Sequence, residues 1–115
     1  MPTTMNDREH AFEAKFAHDE EFRFLVGARR DKLFAHWAAD RLALPEAEAA
    51  ALVSTMLHIP DRAGHDQAML DRVAAVLAQH GATAAPHELS EALARCAAQA
   101  RQQLLDAPLA HPGTP

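Results

Sequence analysis

The chain has 115 residues, 49% of them hydrophobic but only 5% aromatic, and carries a net charge of −5 with a pI of about 5.8. That length makes one small domain, able to bury roughly 65% of its unfolded surface without metals or disulfides. The acidic balance argues against a nucleic-acid partner. The single cysteine, Cys96, excludes an intramolecular disulfide and fits a reducing compartment. The opening MPTTMNDREH has no apolar signal region, and no apolar run approaches the ~20 residues that span a bilayer. The expectation is a soluble cytoplasmic protein without direct membrane insertion.

Alanine supplies much of the apolar content, and glycines number only four; both favour helix. Four helices are predicted. The first begins near Asn6, where Asn6 and Glu9 suit a capping box, and runs to about Leu42. Its opening is dense in charge, with Phe12 and Phe16 one turn apart on one face. So narrow an apolar stripe cannot fold alone. It completes its contacts on its own bundle or on another protein. Periodicity leaves both readings open, with the core stripe slightly ahead. Lys15–Asp19 and Asp19–Arg23 are opposite-charge pairs at i,i+4.

Further along helix one, Phe22, Val26, Leu33, Trp37 and Leu44 follow near-heptad spacing, with Phe34 and Ala38 beside them. Gly27 interrupts the helix at a cost of about 1 kcal/mol relative to alanine. It is either a soft joint or a point of close helix packing. Pro45 suits the first turn of helix two, which runs to about Ile59 and is ended by Pro60. Leu52, Met56 and Ile59 line one side of it. Helix three spans about His65–His80, with Met69, Val73 and Val76 on one ridge, and Gly81 as its cap. Helix four starts near Pro86 and carries Leu89, Leu93, Cys96, Ala97, Ala100 and Leu104 on one stripe. Pro108, Pro112 and Pro115 predict a frayed tail. Short connections favour antiparallel neighbours. The fold class is all-α: a small four-helix bundle with a long first helix whose amino-terminal part projects.

Eight histidines are scattered, and none forms a helical metal-binding pair. Zinc needs three or four convergent ligands, so no metal or cofactor is expected and the histidines are assigned to solvent or loops. A pH-sensing role stays open for them. Asp19, Glu20 and Glu21 read as a solvated face. Cys96 falls on the apolar stripe of helix four and reads as a core thiol. The glycines stand apart, so no phosphate loop exists. Nothing points to an enzyme. Trp37 shares a stripe with Leu33 and Leu44, which favours core packing over an exposed anchor.

The stretches NDREHAFEAKFAHDEE (Asn6–Glu21), ARRDKL (Ala28–Leu33) and WAADRLAL (Trp37–Leu44) resemble the opening of the zeta-type inhibitor subunits of alphaproteobacterial F-type ATP synthases. The resemblance weakens beyond, but extends to about Leu105. It implies a four-helix bundle (19–107) with a mobile inhibitory arm (1–18), intrinsically disordered before it binds, and a disordered tail (108–115). In that family the arm enters the catalytic head at an interface between alpha and beta subunits, near the gamma stalk, and blocks rotation in the hydrolytic direction. Carried onto this chain, the partner contacts are Met5, Asp7, Arg8, Glu9, Phe12, Glu13, Lys15 and Phe16. Gly27 becomes the hinge behind them. The partners implied are the alpha, beta and gamma subunits, which would hold the protein at the inner membrane. The resemblance moves Phe12 and Phe16 from core to partner anchors. The alternative from another class is a cytoplasmic helical regulator that binds a small molecule or, weakly, a nucleotide, with Arg29, Arg30 and Lys32 meeting phosphates.

Overall fold

The computed structural model describes the backbone of residues 5–106 and the side chains of residues 18–106. Four helices follow one another: α1 (Met5–Arg41), α2 (Glu46–Leu57), α3 (His65–Gln79) and α4 (Pro86–Asp106). No strand occurs among the described residues. The all-α bundle with a long first helix is thus observed, with helix ends within one or two residues of those predicted. The largest difference is at α2, which stops at Leu57 rather than Ile59.

α1 is the organising element. At 1.5 Å per residue its 37 residues extend about 55 Å, far longer than the other helices. It packs chiefly against α4 and α2, and more lightly against α3, which also leans on α4. Its buried face is Asp31, Phe34, Ala35, Ala38 and Ala39, a spacing of three to four residues that keeps one side inward. The expected stripe is therefore turned slightly. Phe34 and Ala38 lie at its centre, and Leu33, Trp37 and Leu44 pack against its margin. The small alanines allow close approach of the neighbouring helices. Into the spaces they leave go Leu52 and Met56 from α2, Met69, Val73 and Leu77 from α3, and Leu89, Leu93 and Cys96 from α4. Trp37 stacks on Phe34 with ring centres 5.7 Å apart, and the Arg41 guanidinium lies 5.4 Å from its ring. The indole is thus a half-buried lid on the core. Cys96 is a buried thiol, as expected, and burial raises its pKa.

Two helices end in the same hydrogen-bonded turn. After α3, the Ala82 and Gly81 amides donate to the Leu77 and Ala78 carbonyls, with Gly81 at φ 75°. This is the glycine-capped end foreseen in the sequence. After α1 the pattern repeats: the Leu44 and Ala43 amides donate to the Ala39 and Asp40 carbonyls. Here the left-handed residue is Ala43, at φ 51°, so a β-carbon sits where glycine is preferred. No sequence signal marked that turn. Two of the scattered histidines also finish helices. His58 donates from Nδ1 to the Ser54 carbonyl (2.6 Å), and His80 from Nδ1 to the Val76 carbonyl (3.0 Å). Each satisfies a carbonyl that its helix end would otherwise leave open.

Candidate functional site

The residues singled out as partner contacts all lie at the start of α1. Met5, Asp7, Arg8, Glu9, Phe12, Glu13, Lys15 and Phe16 fall within a helical backbone continuous with the bundle. Their side chains lie outside the described residues. The expected Asn6–Glu9 capping box and Lys15–Asp19 pair fall there too. Positions 12 and 16 are one helical turn apart.

The described side chains begin at His18. From there to Arg30, no residue of α1 is buried. Phe24 is 61% exposed and Leu25 43%. The segment is held by few contacts. Arg101 of α4 lies over the Phe22 ring at 5.4 Å. Arg29 donates to Gln103 at 3.2 Å. Arg23 pairs with Glu20 at 2.8 Å. α1 therefore has a bundle half, from Asp31 onward, and a half before it whose described residues, 18–30, are lightly supported.

Gly27 lies in the second half. A β-carbon built there meets nothing within 4 Å, and its φ is not left-handed. Close helix packing is thus not the reason for glycine at this position. Gly27 instead lines a groove of about 740 Å³ between α1 and the α2–α3 loop. Phe24 and Ala28 form one apolar wall with it, and Leu57, Ile59 and Pro60 form the other.

Where this groove meets the bundle lies a polar cluster that sequence reasoning did not find. Asp31 is a charged residue on the buried face of α1, 7% exposed. Its Oδ1 accepts from Arg30 Nε (3.0 Å) and Nη2 (2.9 Å). Its Oδ2 lies 2.6 Å from Nε2 of His65, the first residue of α3. Nδ1 of the same ring is 2.8 Å from the Pro60 carbonyl. Arg30 also reaches Asp66 at 2.8 Å. Both nitrogens of His65 thus face oxygen acceptors, an arrangement only the imidazolium satisfies in full. Burial alone would lower the His65 pKa. The bonds to the Pro60 carbonyl and Asp31, with the charge of Asp31, outweigh burial and the opposing charge of Arg30, and the pKa is raised. The Arg30 pKa is likewise raised: its bonds to Asp66 and Asp31 outweigh its burial. Among the described residues no buried side-chain nitrogen or oxygen lacks a partner.

Half of this cluster leaves a signal once the inward face of α1 is known. Asp31 lies three and four residues before Phe34 and Ala35, so a charge interrupts the inward face. Its partner His65 is 34 positions away, and no local pattern announces it. The cluster also bears on the nucleotide-binding alternative. Arg30, one of three cations considered for phosphates, is already engaged by two carboxylates. Among the described residues, no group of three or more histidine, cysteine or carboxylate side chains could hold a metal ion. No helix there is long and apolar enough to cross a membrane.

The family described as ATPase inhibitor subunit zeta matches residues 2–103 of the chain. No curated protein and no solved structure matches it.

Proposed function

Since the chain belongs to the family of ATPase inhibitor subunit zeta, a regulatory family, we propose that it inhibits ATP hydrolysis by inserting its first helix into the catalytic head of an F-type ATP synthase. The arm, residues 1–18, enters an interface between alpha and beta subunits near the gamma stalk. Met5, Asp7, Arg8, Glu9, Phe12, Glu13, Lys15 and Phe16 make the contacts. Residues 19–107 remain outside as the bundle, with 108–115 as a tail. The protein then resides in the cytoplasm, held at the inner membrane by the synthase.

The observation that carries this reading is the family match, which runs from residue 2 through the whole first helix. The architecture is in keeping with it. A helix rooted at Asp31–Arg41 and lightly supported before Arg30 presents its leading end to a partner. Aromatic residues flanked by arginine are the residue types that anchor interfaces. A one-way block requires only that the arm bind one rotational state of the motor better than the others.

The test is ATP hydrolysis and synthesis by the cognate enzyme, stripped of endogenous inhibitor, with full-length protein or a variant lacking residues 1–18. Every buried residue among the described ones lies at Asp31 or beyond, so the deletion removes none of them, and a thermal melt of the variant checks that the bundle stays folded. Full-length protein is expected to suppress hydrolysis more than synthesis, and the deletion variant to do neither. Unchanged hydrolysis at a large excess of full-length protein, or equal inhibition by both forms, would overturn the reading.

A further inference from the structure

We propose that His65 and Asp31 form a proton-operated clasp: the doubly protonated imidazole fastens the α2–α3 loop to α1, and loss of its proton releases the loop and widens the groove beside it. The geometry is that of a bolt through three elements. His65 opens α3, its Nδ1 holds the loop at the Pro60 carbonyl (2.8 Å), and its Nε2 holds α1 at Asp31 (2.6 Å). Its side chain is only 10% exposed; the bond to Asp31 is the better shielded of the two, while the Pro60 carbonyl lies at an exposed position. A neutral ring donates from one nitrogen and turns a lone pair toward an oxygen with the other. One of the two attachments must then fail.

The charged groups around the ring decide what happens next. From α1, Asp31 favours the proton and Arg30 opposes it. From α3, Asp66 is held by Arg30. The loop adds Asp61 on the groove lining. From α4, the Cys96 thiol lies beyond Arg30, and burial keeps it protonated at neutral pH. When His65 is neutral, Asp31 still holds Arg30 through Oδ1. No unpaired carboxylate is left in the core, so release is local and the bundle stays folded.

The sign follows from linkage. The folded-state pKa of His65 lies above its ordinary value of 6.5. The clasp is therefore fully closed below about pH 6.5 and is lost as pH rises through the folded-state value. The open loop leaves His65 at its ordinary pKa. The opening constant must then rise about tenfold for each pH unit by which the measured midpoint exceeds 6.5.

The experiment is NMR on the full chain between pH 5.5 and 9. It follows both ring nitrogens of His65 and the exchange protection of the loop amides up to His65. Expected are two protonated nitrogens at pH 5.5 and a midpoint above 6.5. Loop protection should fall across that midpoint by the factor the midpoint dictates, while amides of Ala92–Ala100 keep theirs. Asp31→Asn should lower the midpoint, and His65→Gln should abolish the pH dependence of loop protection. A midpoint at or below 6.5, a loop whose protection ignores the midpoint, or an unchanged pH dependence in His65→Gln would overturn the proposal. Should Asp31→Asn fail to fold, the wild-type titration and His65→Gln decide the matter. None of these readouts involves ATP hydrolysis, so their failure leaves the inhibitor reading untouched.

Discussion

Gly27→Ala tests how the two halves of α1 are joined. A glycine inside a helix costs roughly 0.5–1 kcal/mol relative to alanine, because it surrenders more backbone freedom on folding. That gain is recovered only if the new β-carbon fits. At Gly27 it meets nothing within 4 Å and the backbone is not left-handed, so the full gain of up to about 1 kcal/mol is expected locally. For a domain of this size, 1 kcal/mol corresponds to roughly 4–8 °C in Tm. Gly27 lies in a stretch without buried side chains, which can open before the bundle melts. Part of the gain therefore bypasses the global transition. The expected outcome is a Tm rise of less than about 4 °C, with amide-exchange protection around Gly27 up to about fivefold higher. If Gly27 is the joint through which the arm re-aims, inhibition of the cognate ATPase weakens in the same variant. A fall in Tm would refute the reasoning, since it requires a contact that this position does not have. A stiffer helix with unchanged inhibition would retain the energetics and end the hinge assignment.

Phe12→Ala with Phe16→Ala should raise the inhibitory concentration by about thirtyfold or more, since an aromatic anchor carries about 2 kcal/mol of binding, while the melt stays nearly unchanged. The control is Phe34→Ala, at a fully buried ring stacked on Trp37, which should cost about 3–5 kcal/mol. Denaturant unfolding of both variants separates them, and a large stability loss in the double mutant would return those rings to the core. Ala43→Gly should stabilise the protein by about 1 kcal/mol, because Ala43 holds a left-handed φ of 51° that costs a side-chain-bearing residue about that much. Thermal melts check it, and a lower Tm would contradict the strain assigned to that turn.

What the sequence revealed and what it hid divide along the distance over which each feature is written. Helix-forming composition, Pro45, Pro60 and the Gly81 turn act within a few residues, so the four elements could be read directly. So could the inward residues of α4, from Leu89 through Cys96 to Ala100. The inward face of α1 was displaced, because large apolar side chains drew attention to Leu33 and Trp37. The true face is built largely of alanine, which carries little hydrophobic signal but lets helices approach. The Ala43 turn was missed because glycine marks such turns and this one has none. The Asp31–His65 contact was missed because it joins residues 34 positions apart, and only the packing of α3 on α1 brings them together. The proposed arm rests on resemblance, since on periodicity Phe12 and Phe16 suit a core stripe slightly better than a partner stripe.

The border between the two halves of α1 is made by charge rather than by apolar packing. The described buried residue nearest the start of α1 is Asp31; the large apolar anchor, Phe34, comes almost a turn later. Had the bundle ended on a leucine or phenylalanine at position 31, this border would be fixed at every pH by buried area alone. A carboxylate shared between Arg30 and His65 fixes it in a different way. The arginine is always charged, so it secures the fold. The histidine changes charge near neutrality, so it controls only the attached loop. Gly27, one turn nearer the start of α1, lines the same groove as that loop. Stability is thus concentrated from Phe34 onward, where changing conditions touch little. The loop that faces Gly27 across the groove is held by contacts that a single proton can remake.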